Sequence, residues 1–150
     1  MINGRILLDG AFRHKTNGAP HLTKITNEKW RIRYNGYIIY IEMTPEVHNQ
    51  RRNFDITIYD KMYNVWDHCI IGGHTIDRYK QRWTKAGGKI NALVDIVKTI
   101  LDRTPKFSTC CNRVYYKDTN KTYKAFAYEM LEDNIIFYKT FFPKPKSQCK

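Results

Sequence analysis

The feature that most constrains this chain is a change of hydrophobic period at Gly72-Gly73. Before it, apolar residues recur at every second position, as they do when an extended strand points its side chains alternately to two faces. After it they recur every three to four residues, the spacing of one helix face. A chain that begins as strands, passes through helices and returns to strands is expected to be α+β, with an antiparallel β-sheet packed against two helices.

The strand pattern is clearest from Trp30. Residues 30–34 alternate, Asn35-Gly36 follows, and residues 37–43 alternate again. Asn and Gly both tolerate the positive φ of a tight turn, so these segments form a hairpin. Thr44-Pro45 ends the second strand, and residues 46–53, with Arg51-Arg52, read as a polar loop. Phe54, Ile56 and Ile58 share one face of a strand over residues 54–59, and another strand spans residues 65–71. Residues 1–28 contain the short run Ile6-Leu7-Leu8 and the turn-formers Asn17-Gly18 and Pro20 without a sustained period, so no element is assigned there.

Beyond Gly73, Ile76, Tyr79 or Lys80, and Trp83 form the apolar side of a helix over residues 73–84. Ile90, Leu93, Val94, Val97, Ile100 and Leu101 mark a second helix over residues 89–103. Pro105 closes the helical pair, and three strands are expected at 113–117, 122–130 and 135–142. The whole of residues 1–150 reads as one domain, with a β-rich part at 1–71, a helix-helix-three-strand part at 72–142 and a basic tail at 143–150.

Twenty-six Lys and Arg against 14 Asp and Glu give a formal charge of +12. The cations recur from Arg5 to Lys150 among Tyr, Phe and Trp, so this is a basic globule rather than a basic tail. Such a surplus repels itself and points to a polyanion, whose condensed counterions Lys and Arg release. RNA is the favoured partner and DNA the alternative, with a ribosome or host protein as a further partner. No apolar run approaches the roughly 18 residues of a membrane-spanning helix, and the first residues lack a signal-peptide pattern, so a cytoplasmic location is expected. Cys69, Cys110, Cys111 and Cys149 make no disulfide framework or metal knuckle and read as free thiols. No phosphate-cradling glycine loop, zinc-ligand spacing or carboxylate pair for metal catalysis is evident, so neither metal nor cofactor is expected.

His74, Arg78 and Arg82 stand at i, i+4 and i+8 of the first helix and so line one face. Arg offers a planar fork to phosphate oxygens and stabilises charge on a pentacoordinate phosphorus, while His moves protons near neutrality. The same pattern also suits a helix cap and a solvated basic face. Asp77 is placed to pair with Arg78 or with a residue one turn away.

The nine residues from His74 to Arg82, H-x-x-D-R-x-x-Q-R, resemble the helix bearing the catalytic histidine in the RegB endoribonucleases of T-even phages, which group with the RelE-like ribonuclease toxins. The order of two helices followed by three antiparallel strands is similar as well, placing a RelE-like core at residues 73–142 behind an additional N-terminal β-rich part. The resemblance implies a metal-independent endoribonuclease in which the RNA 2'-hydroxyl attacks its own phosphate, giving 2',3'-cyclic phosphate and 5'-hydroxyl ends. His74 would be the catalytic histidine, Arg78 its phosphate-binding partner and Arg82 an assistant. It also implies a phage origin, hence the host cytoplasm.

RegB proteins carry a second functional histidine on the next helix. Lys98 stands in the corresponding stretch here, and His68 on the preceding strand is the other candidate. Tyr138 and Lys139 on the last strand are further substrate-binding candidates, because RelE-like toxins place functional residues there. The rival reading is a non-catalytic basic protein of nucleic-acid binding or host takeover, acting on DNA, RNA or a host nucleic-acid enzyme.

Overall fold

The computed structural model describes residue 7 and residues 18–48, 50–83, 87–108, 111–118 and 122–145. The apolar run and turn-formers within residues 1–17, apart from Leu7, lie outside the described residues, as do Cys110, Cys149 and residues 146–150 of the basic tail. Five strands, β1 (His21–Thr26), β2 (Lys29–Tyr34), β3 (Tyr37–His48), β4 (Arg51–Asp60) and β5 (Val65–Ile71), precede two helices, α1 (Gly73–Arg82) and α2 (Lys89–Asp102). Four strands follow: β6 (Pro105–Ser108), β7 (Arg113–Lys117), β8 (Thr122–Met130) and β9 (Ile136–Pro145). All nine described strands lie in one sheet, ordered β1-β2-β3-β4-β5-β9-β8-β7-β6. The α+β class is therefore as expected, and the front and back halves of the chain share a single sheet.

The front half is a meander of antiparallel hairpins. Asn35 and Gly36 adopt φ of 52° and 85°, the left-handed geometry their identities anticipate. The alternation sends Trp30, Ile32, Ile39, Ile41, Phe54, Ile56, Cys69 and Ile71 to one face, where all are buried. Each large aliphatic or aromatic side chain removed from water there contributes about 1.5–3 kcal/mol.

Three expectations need correction. Residues 46–53 are not a loop: β3 runs on to His48 and β4 starts at Arg51. A shift of register between Met43 and Val47 accommodates Pro45, which has no N–H to give the ladder. Four strands, not three, follow the helices, because Pro105 opens edge strand β6 instead of only closing α2. Finally, the sheet is not antiparallel throughout. β5 and β9 pair in parallel over Cys69–Ile71 and Ile136–Tyr138.

That parallel seam positions α1. Past Ile71 the chain leaves the sheet, the Gly72 N–H donates to the Tyr138 carbonyl at 3.0 Å, and the Thr75 hydroxyl donates to the same oxygen at 2.7 Å. Helix α1 then runs beside the part of β9 that β5 no longer covers. Ile76 and Tyr79 are buried, with the Tyr79 ring 4.5 Å from that of Phe141. Helix α2 buries Leu93, Ile96, Val97, Ile100 and Leu101, and the Tyr34 hydroxyl donates to Asp102 at 2.5 Å, so both helices cover one sheet face. The Leu7 N–H donates to Asp67 Oδ2 at 2.7 Å, and its side chain joins the same core.

Gly73 meets the β3–β4 hairpin with no room to spare. A Cβ on it would lie 2.4 Å from the Arg52 carbonyl oxygen and 2.8 Å from Arg51 Cβ. Gly73→Ala is expected to lower stability by about 1–3 kcal/mol in urea unfolding. Gly88→Ser, at the N-cap of α2 where a Cβ meets nothing within 4 Å, should be neutral or slightly stabilising.

Candidate functional site

Helix α1 turns its polar side away from the core. His74 and Arg78 are half-buried there, and Lys80, Gln81 and Arg82 are exposed. The four-residue spacing brings the first two together: Arg78 Nε approaches His74 Nε2 at 3.4 Å, a long contact, and Arg78 Nη1 donates to Gln81 Oε1 at 3.1 Å. Arginine offers only N–H donors, so this contact is a hydrogen bond in the tautomer that leaves Nε2 unprotonated.

Asp77 does not neutralise Arg78. It accepts from Arg51 Nε at 2.7 Å. The β3–β4 hairpin thus brings Arg51 to the start of α1, against Gly73. Sequence reading saw Arg51 only as part of a polar loop. Its 26-residue separation from Asp77 leaves no local signal, and only the tight approach of Gly73 brings the two together.

Arg82 departs from the row. Its Nη1 donates to the Phe141 carbonyl at 2.7 Å, and its guanidinium lies 5.7 Å from the centre of the Phe142 ring. Strand β9 extends beyond its pairing with β5, and Arg82 satisfies one of the carbonyls left on that edge. Its sequence spacing fits a third phosphate ligand, but its contacts are those of an anchor.

The other candidates do not gather around His74. His68 points from the opposite side of the sheet, since Asp67 and Cys69 beside it face the core, and its Nε2 lies 3.3 Å from Asp55 Oδ1. Lys98 is exposed on α2, at the rim of a recess of about 320 Å³ that it shares with Trp83 at the far end of α1, roughly 13 Å along the helix axis from His74. Lys139 pairs with Glu129 at 3.5 Å on the helix-free face. Tyr138 is fully buried, with its hydroxyl 2.9 Å from that of Tyr116. It is a core residue, which corrects its reading as a substrate contact: the face it shares with Ile136 is the one the helices cover. Tyr34, Tyr37, Tyr115 and Tyr116 are likewise buried, whereas Tyr40 is 41% exposed.

A second polar group lies beneath the C-terminal end of α1. Lys124, on β8, is buried. Its Nζ donates to Thr99 Oγ1 at 3.1 Å, lies 3.5 Å from Asp95 Oδ2 and 3.6 Å from Asp118 Oδ1, and sits 4.5 Å from the centre of the Trp83 ring. The Tyr79 hydroxyl donates to Asp95. A buried ammonium with two carboxylates and a hydroxyl is well satisfied, and it ties α1, α2 and β8 together. Among the described residues no three or more His, Cys, Asp or Glu side chains converge as a metal site, and no helix is long and apolar enough to cross a membrane. Cys69 and Cys111 are free thiols.

No protein-family model, curated protein or solved structure matches this chain. The contacts of these residues are therefore what the functional reading rests on.

Burial, reinforced by hydrogen bonds to Asp102 and Asp95 respectively, raises the Tyr34 and Tyr79 hydroxyls far above the ordinary tyrosine range, and burial beside Tyr116 does the same to Tyr138. In the unfolded chain all three ionise near pH 10. Above that pH the unfolded state binds fewer protons than the folded one, so stability falls as pH rises. Each tyrosine is expected to contribute about 1.4 kcal/mol per pH unit to this loss. Urea midpoints measured from pH 9 upward should drop steeply, and Tyr34→Phe should make the drop shallower.

Proposed function

We propose that the chain is a metal-independent endoribonuclease with His74 and Arg78 at its centre, acting in the cytoplasm. The observation that carries this reading is an imidazole and a guanidinium held side by side on one helix face, with the neighbouring carboxylate of Asp77 engaged by Arg51. A phosphodiester resting on Arg78 would bring its ribose within reach of His74 Nε2. The 2'-hydroxyl gives its proton to that nitrogen, its oxygen bonds to phosphorus, and the bond to the 5'-oxygen breaks. The departing oxygen takes a proton from solvent.

Arg78 stabilises the charge that builds on the phosphorane, and Arg51, by engaging Asp77, leaves the charge of Arg78 less cancelled. Arg82 supports the site indirectly, by fixing α1 to β9. The net charge of +12 draws RNA to the surface without regard to sequence. On this reading residues 73–142, from α1 into β9, correspond to the RelE-like core that the His74–Arg82 motif suggests, and β1–β5 extend its sheet.

Purified protein incubated with end-labelled RNA of mixed sequence in excess EDTA should yield cyclic-phosphate and 5'-hydroxyl ends. His74→Ala is expected to lower the rate by about 10²–10⁴-fold and Arg78→Ala by about 10²–10³-fold. RNA affinity should survive His74→Ala, because the phosphate contacts remain. Intact RNA with affinity retained in the wild-type protein would instead support the non-catalytic binder, and undiminished cleavage by His74→Ala would refute the assignment of the base.

A further inference from the structure

The sheet face that carries no helix among the described residues is built like a surface for unpaired bases. Three cross-strand rows run over β2–β5. One aligns Arg31, Tyr40, Thr57 and His68, the next Arg33, Ile38, Tyr59 and Trp66, and the third Lys29, Glu42, Asp55 and Ile70. Tyr40 is 41% exposed at the middle of the sheet, and the Tyr59 and Trp66 rings lie 4.7 Å apart in the neighbouring row. Cations flank the aromatic rings. Arg31 stands beside Tyr40 with its Nε enclosed and without a hydrogen-bond acceptor, and Arg33 and Lys61 line a recess of about 420 Å³ at the Asn35-Gly36 turn.

A cavity of about 370 Å³ opens next to Tyr40, lined by Ile25, Lys29, Glu42, Asp55, Thr57 and His68, with Trp30 and Ile41, whose side chains belong to the core face, at its edge. Its volume falls at the small end of the roughly 300–1,000 Å³ usual for ligand clefts. Two carboxylates in that lining disfavour a phosphate. They favour a neutral ring whose edge carries N–H donors, which is what an unpaired base presents. Lys29 at 3.8 Å from Glu42 and His68 at 3.3 Å from Asp55 each take one oxygen, and a carboxylate has about four acceptor positions.

We propose that this face holds an unpaired stretch of RNA, one base seated in the cavity against the Tyr40 ring, with its backbone on Arg31, Arg33 and Lys61. The inference rests on the reading that the chain acts on RNA and specifies the form in which RNA is held. Stacking on an aromatic ring is open to any base but closed to a duplex whose bases are already stacked and paired. The placement also suits delivery to α1. Asp55 is one residue from Phe54, which pairs with Ile71, and the chain enters α1 two residues later.

The test uses the His74→Ala protein, so that RNA stays intact, and a short fluorescein-labelled RNA offered as a single strand or as a duplex. Tyr40→Ala on that background should weaken single-strand binding about tenfold or more and leave duplex binding unchanged, while Tyr40→Phe should stay within about twofold. Single-strand binding undiminished by Tyr40→Ala would overturn the proposal. So would equal losses for single strand and duplex, or a Tyr40→Phe protein as weak as Tyr40→Ala. Failure here is separable from failure of the cleavage reading, because cleavage is scored with His74 in place. A protein that binds single strands through Tyr40 and leaves RNA intact contradicts only the catalytic role.

Discussion

One backbone oxygen organises the helical half of this molecule. The Tyr138 carbonyl receives both the Gly72 N–H and the Thr75 hydroxyl at the point where β5 leaves the sheet. Had β5 continued, it would have covered the next carbonyls of β9 with another strand. Instead α1 starts there, its Thr75 hydroxyl turned to the sheet rather than to its own helix end, and Arg82 closes the open edge at Phe141. The helix is held at both ends by β9. Its buried side, through Tyr79 and the Asp95–Lys124 group, fixes its rotation. Which residues face away from the core follows from those attachments, and His74, Asp77, Arg78, Lys80 and Gln81 are among them.

The same seam separates two polar surfaces. On the helix side, His74 and Arg78 stand side by side, and Arg51 engages Asp77 next to them. On the other side, the meander of β2–β5 shows aromatic rings among arginines and a cavity with acidic walls. The β3–β4 hairpin, whose strands belong to the meander, touches Gly73 at the start of α1. In the function proposed above, one face would serve recognition and the other chemistry, and the N-terminal strands would do more than enlarge the core.

The sequence made local structure legible wherever burial alternates or repeats with a helix. The Asn35-Gly36 hairpin, β5 and the strands from Arg113 and Thr122 were all visible in it, as was the change to helix at Gly73. Strand β1 was not, because nearly all of its side chains are exposed and no apolar rhythm marks it. Nor was β6, since a proline after a helix reads as a stop and only its edge position makes it a strand start. The parallel contact of β5 with β9 joins residues more than sixty positions apart, and no local pattern encodes it. That one contact decides the fate of several candidates: Tyr138 goes to the core, Arg82 to a carbonyl and His68 to the far face. Helical spacing alone was enough to pair His74 with Arg78, whereas Arg51 needed the fold.

The central claim is that His74 presents an unprotonated Nε2 beside Arg78 to an RNA phosphodiester. Nitrogen NMR of the imidazole and guanidinium groups, with uncleavable 2'-O-methyl RNA titrated into the wild-type protein, addresses it directly. The free protein should show the His74 proton on Nδ1, and the His74 and Arg78 resonances should move together and saturate as RNA binds. Resonances elsewhere moving to saturation while these two stay fixed would contradict the claim.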